Sequence, residues 1–165
     1  MRYHKHNLSS SVDQQGINWD IKIIKFDSYD DDIKRVVDQF NVEINWSEMY
    51  NLDEVRDRLS GNYTCYVLYN QSTPIGIVWF QVGIDTVLLK NLFISKHNRP
   101  KRFKKGINLF FLESVFCNLY TMGYQNCVSY SDEWNIKSHL TAVNLPSHVE
   151  ISENEFKELT EGIRL

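Results

Sequence analysis

The middle of the chain restricts the possible folds more than any other part of the sequence. Three segments rich in β-branched and aromatic residues, Tyr63–Tyr69, Ile75–Phe80 and Thr86–Ile94, follow one another along the chain. Such residues favour strands, and turns as short as Ser72–Pro74 and Gly83–Asp85 join antiparallel neighbours. The sequence therefore predicts an antiparallel meander of three strands.

A long apolar helix follows the third strand and leads into a fourth. The segment Gly106–Met122 carries apolar residues on more than one face, so we expect it to be buried on more than one side. Gly123 is placed to end it in a left-handed conformation, and Asn126–Tyr130 is the next strand-like segment. A helix that connects two strands of one sheet makes those strands parallel. The sequence predicts an α+β fold: a mixed, mostly antiparallel sheet, flanked by helices, with a parallel strand pair at its centre.

The other patterned segments complete a single domain over residues 19–165. They are the strand Ile21–Phe26, a helix that presents Ile33, Val36, Val37 and Phe40 on one face, and the helical segments Met49–Leu59, Trp134–Val143 and Glu153–Leu159. Asp30 or Ser28 is placed to cap the first of these helices. Residues 1–18 are polar and show no such pattern, so we expect a flexible tail there.

The composition excludes several classes of protein. The chain has 165 residues and is 42% hydrophobic, which supports a real core and excludes a disordered or collagen-like chain. No apolar run approaches the length of a membrane span, and the amino terminus lacks the apolar core of a signal peptide. We therefore expect no membrane association and a cytoplasmic location. Cys65, Cys117 and Cys127 show no metal-ligand spacing, so we expect reduced, buried cysteines and no metal site.

One short loop concentrates positive charge on a chain whose net charge is −3. Its basic residues are Lys96, Arg99, Lys101, Arg102, Lys104 and Lys105. A single basic loop on an otherwise acidic chain indicates a local anion site rather than a face that binds nucleic acid. Nucleic-acid binding through this loop, with Phe103 available for stacking, is therefore the disfavoured hypothesis.

The basic loop ends where the long helix begins, an arrangement suited to phosphate groups. The backbone N–H groups of residues 105–108 would lie at the positive end of the helix dipole, and Gly106 has no Cβ to hinder a ligand. Arg102, Lys104 and Lys105 would add charge-assisted contacts. The sequence contains no GxxxxGK and no GxGxxG, so it predicts neither a nucleoside-triphosphatase loop nor a dinucleotide fold. A solvated basic loop without a ligand is the alternative.

The order of elements and this loop together resemble the GNAT superfamily of acyl-CoA-dependent N-acyltransferases. The resemblance covers about residues 20–148 and rests on Lys90–Arg99, Arg102–Asn108 with the helix after it, Asn135 and Leu140–Leu145. The family's loop usually reads Arg/Gln-x-x-Gly-x-Gly/Ala. Gly106 matches the first glycine, while Phe103 and Asn108 stand where the Arg/Gln and the second Gly/Ala belong. Asn144 replaces a usual glycine and, like it, tolerates a left-handed backbone.

The resemblance implies a site for acetyl-CoA where the parallel strand pair splays apart. The backbone of Leu92–Ile94 would bind the pantetheine arm of CoA, Asn135 would contact that arm too, and the N–H groups of residues 104–108 would hold the pyrophosphate. The implied CoA-binding residues are Leu92, Phe93, Ile94, Arg102, Lys104, Lys105, Gly106, Ile107, Asn108 and Asn135.

The implied reaction is direct attack of a primary amine, on a small molecule or a protein, on the acyl carbonyl. It needs a base for the ammonium proton and an acid for the leaving thiolate. Family members often have a Glu near Lys90 and a Tyr at Ala142, and this chain has neither. Residues on the right elements to substitute are Tyr130, Ser129, Glu133 and His139. Tyr130 is the first choice for the acid and His139 a candidate base, although such residues more often serve packing.

The missing Glu and Tyr also motivate a second hypothesis, a GNAT-fold protein that mediates interactions without catalysis. The sequence shows no code for the acceptor amine. Many family members pair through sheets or helices, so the resemblance is compatible with a homodimer. A single alanine beside many Asn, Ile and Lys residues indicates an AT-rich coding sequence, as in some viruses. His4 and His6 lie in the expected tail, and we interpret their spacing as chance.

Overall fold

The computed structural model describes residues 1–10, 21–26, 30–43, 62–97 and 106–163. Its strands are β1 (Arg2–Asn7), β2 (Ile21–Phe26), β3 (Tyr63–Asn70), β4 (Thr73–Val82), β5 (Thr86–Ile94), β6 (Asn126–Ser131) and β7 (His148–Ile151). Its helices are α1 (Asp31–Glu43), α2 (Ile107–Thr121), α3 (Ile136–Val143) and α4 (Glu153–Leu159). The elements that the sequence predicts within these residues are all present.

The described strands form one mixed sheet in the order β2-β3-β4-β5-β6-β1-β7. Strands β5 and β6 are parallel and are connected through α2, whereas β1 is antiparallel to both β6 and β7, and β2 to β3. The predicted α+β fold with a mixed sheet and a parallel pair is therefore confirmed. Within the described ranges, no helix has the length and apolar character needed to cross a membrane.

The chain divides into two compact units. The first, here called the meander unit, comprises the described residues of Gln14–Phe80 and Lys90–Lys104. Its core combines one face of α1 with inward-facing residues of β3, β4 and β5, and consists of Ile33, Val36, Val37, Phe40, Cys65, Val67, Tyr69, Ile77, Trp79 and Phe93. The apolar spacing that predicts α1 from the sequence is thus the spacing that packs it against the sheet.

The first turn of α1 shows why a run of acidic residues can begin a helix. The Asp30 carboxylate accepts hydrogen bonds from the backbone N–H groups of Asp32 (2.9 Å) and Ile33 (3.1 Å), which confirms Asp30 as the cap. The Asp32 carboxylate in turn accepts a 2.8 Å bond from the Tyr69 hydroxyl. Burial, followed by this bond, raises the pKa of Tyr69.

The second unit is called the histidine unit because it contains His4, His6, His139 and His148. It comprises the described residues of Met1–Asp13, Gln81–Leu89 and Lys105–Leu165. Helix α2 is buried on several sides, as predicted, through Ile107, Phe111, Leu112, Glu113, Val115, Phe116 and Leu119. It ends at Gly123, whose φ of +100° confirms the predicted left-handed conformation.

The predicted flexible tail over residues 1–18 is wrong for Arg2–Asn7, which form β1 between β6 and β7. The inward-facing side chains of this strand are His4 and His6, which are 1% and 2% exposed. Because the buried positions of this strand hold histidines, its sequence shows no apolar alternation, and the expectation that His4 and His6 lie in a tail is wrong. Residues 11–18 lie outside the described part of the chain, and the single domain over 19–165 stays a prediction.

Several local expectations also need correction. The turn between β3 and β4 is made by Gln71 and Ser72, with Gln71 at φ +56°, because β4 already begins at Thr73. Asn144 is right-handed, with φ −89°, and the positive φ falls instead on Ser147. All three cysteines are free, as expected, but only Cys65 and Cys127 are buried, while Cys117 is partly exposed. The predicted helix at Met49–Leu59 lies outside the described residues.

Candidate functional site

The start of α2 presents backbone N–H groups without an intrahelical partner. The Gly106 carbonyl accepts from the N–H groups of Leu109 (2.9 Å) and Phe110 (3.4 Å). The N–H groups of Ile107 and Asn108 belong to the first turn and have no carbonyl behind them in the helix. They therefore need an acceptor from outside the helix.

Two further features of this helix start favour an anion. The first turn of α2 carries no acidic residue, so no carboxylate of that turn offsets the positive end of the dipole. A Cβ built on Gly106 meets no described atom within 4 Å, so the space beside this backbone is open. The cradle predicted at Gly106, Ile107 and Asn108 has the expected helix geometry, whereas Arg102, Lys104 and Lys105 lie outside the described residues.

Asn108 departs from the small residue that the GNAT loop usually has, and its side chain is partly buried. Its Oδ1 atom is inaccessible to solvent and has no hydrogen-bond partner among the described residues. A buried acceptor without a donor costs free energy, about 1–3 kcal/mol for a neutral group. Within the described residues, a donor for this atom is therefore lacking.

In the meander unit, the end of β5 is fixed tightly to its surroundings. Phe93 and Ile94 are buried, and the Phe93 ring packs edge-on against Phe40 at 4.9 Å between centroids. Gly76 on β4 lies so close to this strand that a Cβ there would stand 2.9 Å from the Phe93 carbonyl oxygen. The side chains of Phe93 and Ile94 thus belong to the core, whereas Leu92 is partly exposed, and the backbone of Leu92–Ile94 is the part that the resemblance assigns to a ligand.

The residues directly after β5 are held by a carboxylate. Glu43, the last residue of α1, accepts a 2.6 Å bond from the Ser95 hydroxyl and a 2.7 Å bond from the Lys96 backbone N–H. Ser95 also donates its own N–H to the Ile75 carbonyl at 2.8 Å. The first residue of the basic loop therefore has a fixed position, although nothing in the sequence pairs Glu43 with it.

In the histidine unit, the parallel pairing is short. It joins Thr86–Leu88 to Asn126–Val128, three residue pairs in all. Beyond it, β6 continues to Ser131 while paired with β1, and β5 continues to Ile94. The two strands that the resemblance associates with pantetheine, β5 and β6, are therefore hydrogen-bonded to each other only over the first residues of each strand.

Asn135 serves as the cap of α3. Its side-chain oxygen accepts a 3.2 Å bond from the backbone N–H of Ser138. This role follows from the preference of Asn for helix starts. The contact of Asn135 with pantetheine stays a prediction.

The two candidate acid–base residues lie in different surroundings of the histidine unit. Tyr130 is 43% exposed, stands opposite Tyr3 on β1, and packs edge-on against Phe156 at 5.9 Å. His139, on α3, packs against the ring of His4 instead, with the two ring centroids 5.4 Å apart and the planes tilted by 40°. Its Nδ1 atom is buried and has no partner among the described residues. Their catalytic roles stay predictions, and the histidines that surround His139 escaped the sequence analysis.

Known proteins resemble this chain in structure but not in sequence. No protein-family model and no curated protein sequence matches the chain. Solved structures do match, among them an aminoglycoside acetyltransferase from an uncultured soil metagenomic sample, in complex with sisomicin. It has a TM-score of 0.61 and 12% identity over 81% of this chain and 92% of the other.

Two further structures agree with that match. The ribosomal-protein-S18-alanine N-acetyltransferase from Escherichia coli has a TM-score of 0.57 and 12% identity, over 73% of each chain. AAC(6')-Iy, in complex with the bisubstrate analog CoA-S-monomethyl-acetylneamine, has a TM-score of 0.54 and 12% identity, over 80% of this chain and 95% of the other. The protein therefore has the fold of the GNAT acetyltransferases, as the resemblance implies. At this identity, the likeness establishes the fold and leaves the substrate open.

Proposed function

We propose that this protein is an N-acyltransferase that moves an acetyl group from acetyl-CoA to a primary amine of a small molecule or a protein. The observation that carries the proposal is the start of α2 in a GNAT fold. There, the N–H groups of Ile107 and Asn108 have no intrahelical partner, no described atom lies within 4 Å of a Cβ at Gly106, and the first turn has no acid, all of which suits an anionic ligand. The pyrophosphate of CoA is an anion of that kind.

The proposal assigns the parts of CoA to separate segments. The N–H groups of residues 104–108, with Arg102, Lys104 and Lys105, hold the pyrophosphate by charge-assisted hydrogen bonds. The backbone of Leu92–Ile94 pairs with the pantetheine arm, while the side chains of Phe93 and Ile94 are engaged in the core. Asn135 contacts the same arm through its amide.

The chemistry is a direct acyl transfer. The neutral amine nitrogen attacks the thioester carbonyl carbon, an N–C bond forms, and the C–S bond breaks as the tetrahedral intermediate collapses. The amine nitrogen loses its proton to a base, for which His139 is the candidate, and the leaving thiolate takes one from an acid, for which Tyr130 is the candidate. Acetyl-CoA as the donor fits a cytoplasmic location, and the free cysteines are compatible with it.

Calorimetric titration with acetyl-CoA, with desulfo-CoA and ATP as comparison ligands, tests the binding step. Gly106→Asp places a carboxylate beside the proposed pyrophosphate position, so we expect it to abolish binding. Asp is also a favoured N-cap residue, and the backbone at Gly106 (φ −54°, ψ 130°) accepts it, so the variant should remain folded and at least as stable. Unchanged affinity for acetyl-CoA in this variant would contradict the proposal.

Gly106→Ala is the matched control. It adds a Cβ into open space and no charge, so we expect a smaller loss of affinity than with Gly106→Asp and the same melting temperature as the wild type. Equal losses in the two variants would show that the steric effect, and not charge at the helix start, controls binding.

The alternative is an interaction protein that keeps the fold without catalysis. It is favoured by Ala142, a buried residue on α3. Many GNAT family members have at this position the Tyr that acts as the general acid. Acetyl-CoA that binds but is transferred to no amine of a chemically diverse panel would support this alternative.

A further inference from the structure

Four of the five histidines of the chain lie together in the histidine unit. His4 and His6 project from β1, His139 from α3, and His148 begins β7. The ring centroid of His4 lies 5.2 Å from that of His148 and 5.4 Å from that of His139. The ring centroid of His6 lies 5.5 Å from that of His148. Three elements thus meet through imidazole rings.

The hydrogen bond between His4 and His148 needs at least one neutral imidazole. The Nδ1 atom of His4 lies 3.1 Å from Nε2 of His148. The Nε2 atom of His4 lies 3.3 Å from the Ser131 hydroxyl oxygen. A nitrogen-to-nitrogen bond needs one N–H donor and one bare acceptor. When both rings are protonated, every ring nitrogen carries a proton, so the bond is lost and two positive charges face each other.

The surroundings offer little compensation for added charge. His4 and His6 are almost fully buried, and the buried Nδ1 atoms of His6 and His139 have no described partner. Around His4 stand Arg2 on β1, His139 on α3, and His148 and Glu150 on β7, and only Glu150 favours its protonated form. His6 faces His4, His148 and the Pro146 carbonyl, and of these only the carbonyl, which accepts a hydrogen bond from the ring, favours the protonated form of His6.

The net effect on the buried histidines is to favour the neutral ring. Burial, followed by the neighbouring imidazoles, lowers the pKa of His4 and of His6 from 6.5 to about 4. Burial also lowers the pKa of His148. Within the described residues, no three His, Cys, Asp or Glu side chains are placed to share a metal ion.

We propose that the cluster is a proton-sensitive lock, which holds β1 between β6 and β7 while its imidazoles are neutral and releases this edge of the sheet in acid. Released means that the pairs of β1 with β7, such as His4 with Glu150 and His6 with His148, separate without unfolding of the meander unit. The lock lies entirely within the histidine unit and does not rest on the proposed catalytic activity.

The sign of the pH dependence follows from proton linkage. The closed state binds protons on His6 only near pH 4, whereas the open state binds them from about pH 6.5. Between these values the open state holds more protons, so a fall in pH favours opening by up to about tenfold per pH unit for each such imidazole. Closure is therefore complete above about pH 6.5 and is lost as the pH falls toward 4.

Hydrogen exchange measured by mass spectrometry on the intact protein tests the proposal. Protection factors, corrected for intrinsic exchange, are compared between peptides that cover β1 and β7 and a peptide that covers β3, from pH 7.5 to pH 4.5. We expect protection of β1 and β7 to fall at least tenfold more than that of β3. An equal change in all three strands would overturn the proposal.

Two variants separate a specific lock from general acid sensitivity. His148→Asn removes the partner of His4 and one titrating ring from a partly exposed position, so the pH dependence at β1 should become shallower. His97→Asn changes the exposed fifth histidine outside the cluster, and it should leave that dependence unchanged. If His148→Asn kept the full wild-type dependence, or His97→Asn reduced it equally, the proposal would be wrong.

Discussion

The two units of this protein bury different kinds of side chain, and they therefore respond to different changes. The core of the meander unit is apolar and aromatic, from Ile33 on α1 to Phe93 on β5. The histidine unit also has an apolar cluster around Leu88 and Val128, but it buries His4 and His6 as well. Apolar burial is insensitive to pH, whereas burial of an imidazole is not. The comparison leads us to expect that pH sensitivity is confined to the histidine unit.

The largest expected effect is in the apolar core. Phe40→Ala removes a ring that packs on Phe93, and it should lower the free energy of unfolding by about 3–5 kcal/mol. The loss should be the same at pH 7.5 and pH 5, because no group in that core titrates in this window. Urea denaturation at both values measures it. A loss that differs between them by more than about 1 kcal/mol would remove the contrast between the units.

His6→Leu should have its effect on the pH dependence of stability. A shift of the His6 pKa from 6.5 to about 4 corresponds to about 3 kcal/mol, lost between those pH values as the unfolded chain binds the proton first. Leu cannot titrate and leaves no unsatisfied nitrogen, so the variant should lack this part of the loss. Denaturation curves from pH 7.5 to pH 4 compare it with the wild type. Identical slopes in the two proteins would mean that His6 is not responsible.

Glu43→Gln should have the smallest of these effects. The substitution keeps the shape but weakens two hydrogen bonds, from the Ser95 hydroxyl and the Lys96 N–H, that end on a carboxylate. We expect a loss of about 1–2 kcal/mol and faster exchange of the Lys96 amide. Ser95→Ala, which removes only one of the two bonds, should cost less. If both variants matched the wild type, Glu43 would not anchor the start of the basic loop.

What the sequence predicts depends on which side chains each element buries. Strands β2 to β6 and helix α2 can be predicted from the sequence because their inward positions are apolar, as at Val67 and Phe111. Strand β1 cannot be predicted from the sequence because its inward positions are histidines, and β7 cannot because it has only four residues. Local chemistry at a helix start, such as the Asp30 cap, is equally visible from the sequence.

The site divides in the same way. The start of α2 at Gly106 follows from glycine, charge and helix periodicity, all of which are local signals. The pairing of Glu43 with Ser95, and of His139 with His4, joins residues far apart in the chain and depends on tertiary packing. Such contacts have no local signature, so the surroundings of the candidate base His139 could be described only from the structure.

The central claim is acetyl transfer, and the release of CoA thiol from acetyl-CoA in the presence of a panel of primary amines tests it most directly. The panel includes small polyamines, aminoglycosides and peptides with a free amino terminus, and mass spectrometry checks each amine. We predict that, with the wild-type protein, at least one amine accelerates thiol release and gains the mass of one acetyl group. With Gly106→Asp, the same amine should neither accelerate thiol release nor gain that mass. Thiol release at the rate of Gly106→Asp with every amine, despite binding of acetyl-CoA, would contradict the claim and leave a protein that binds CoA without catalysis.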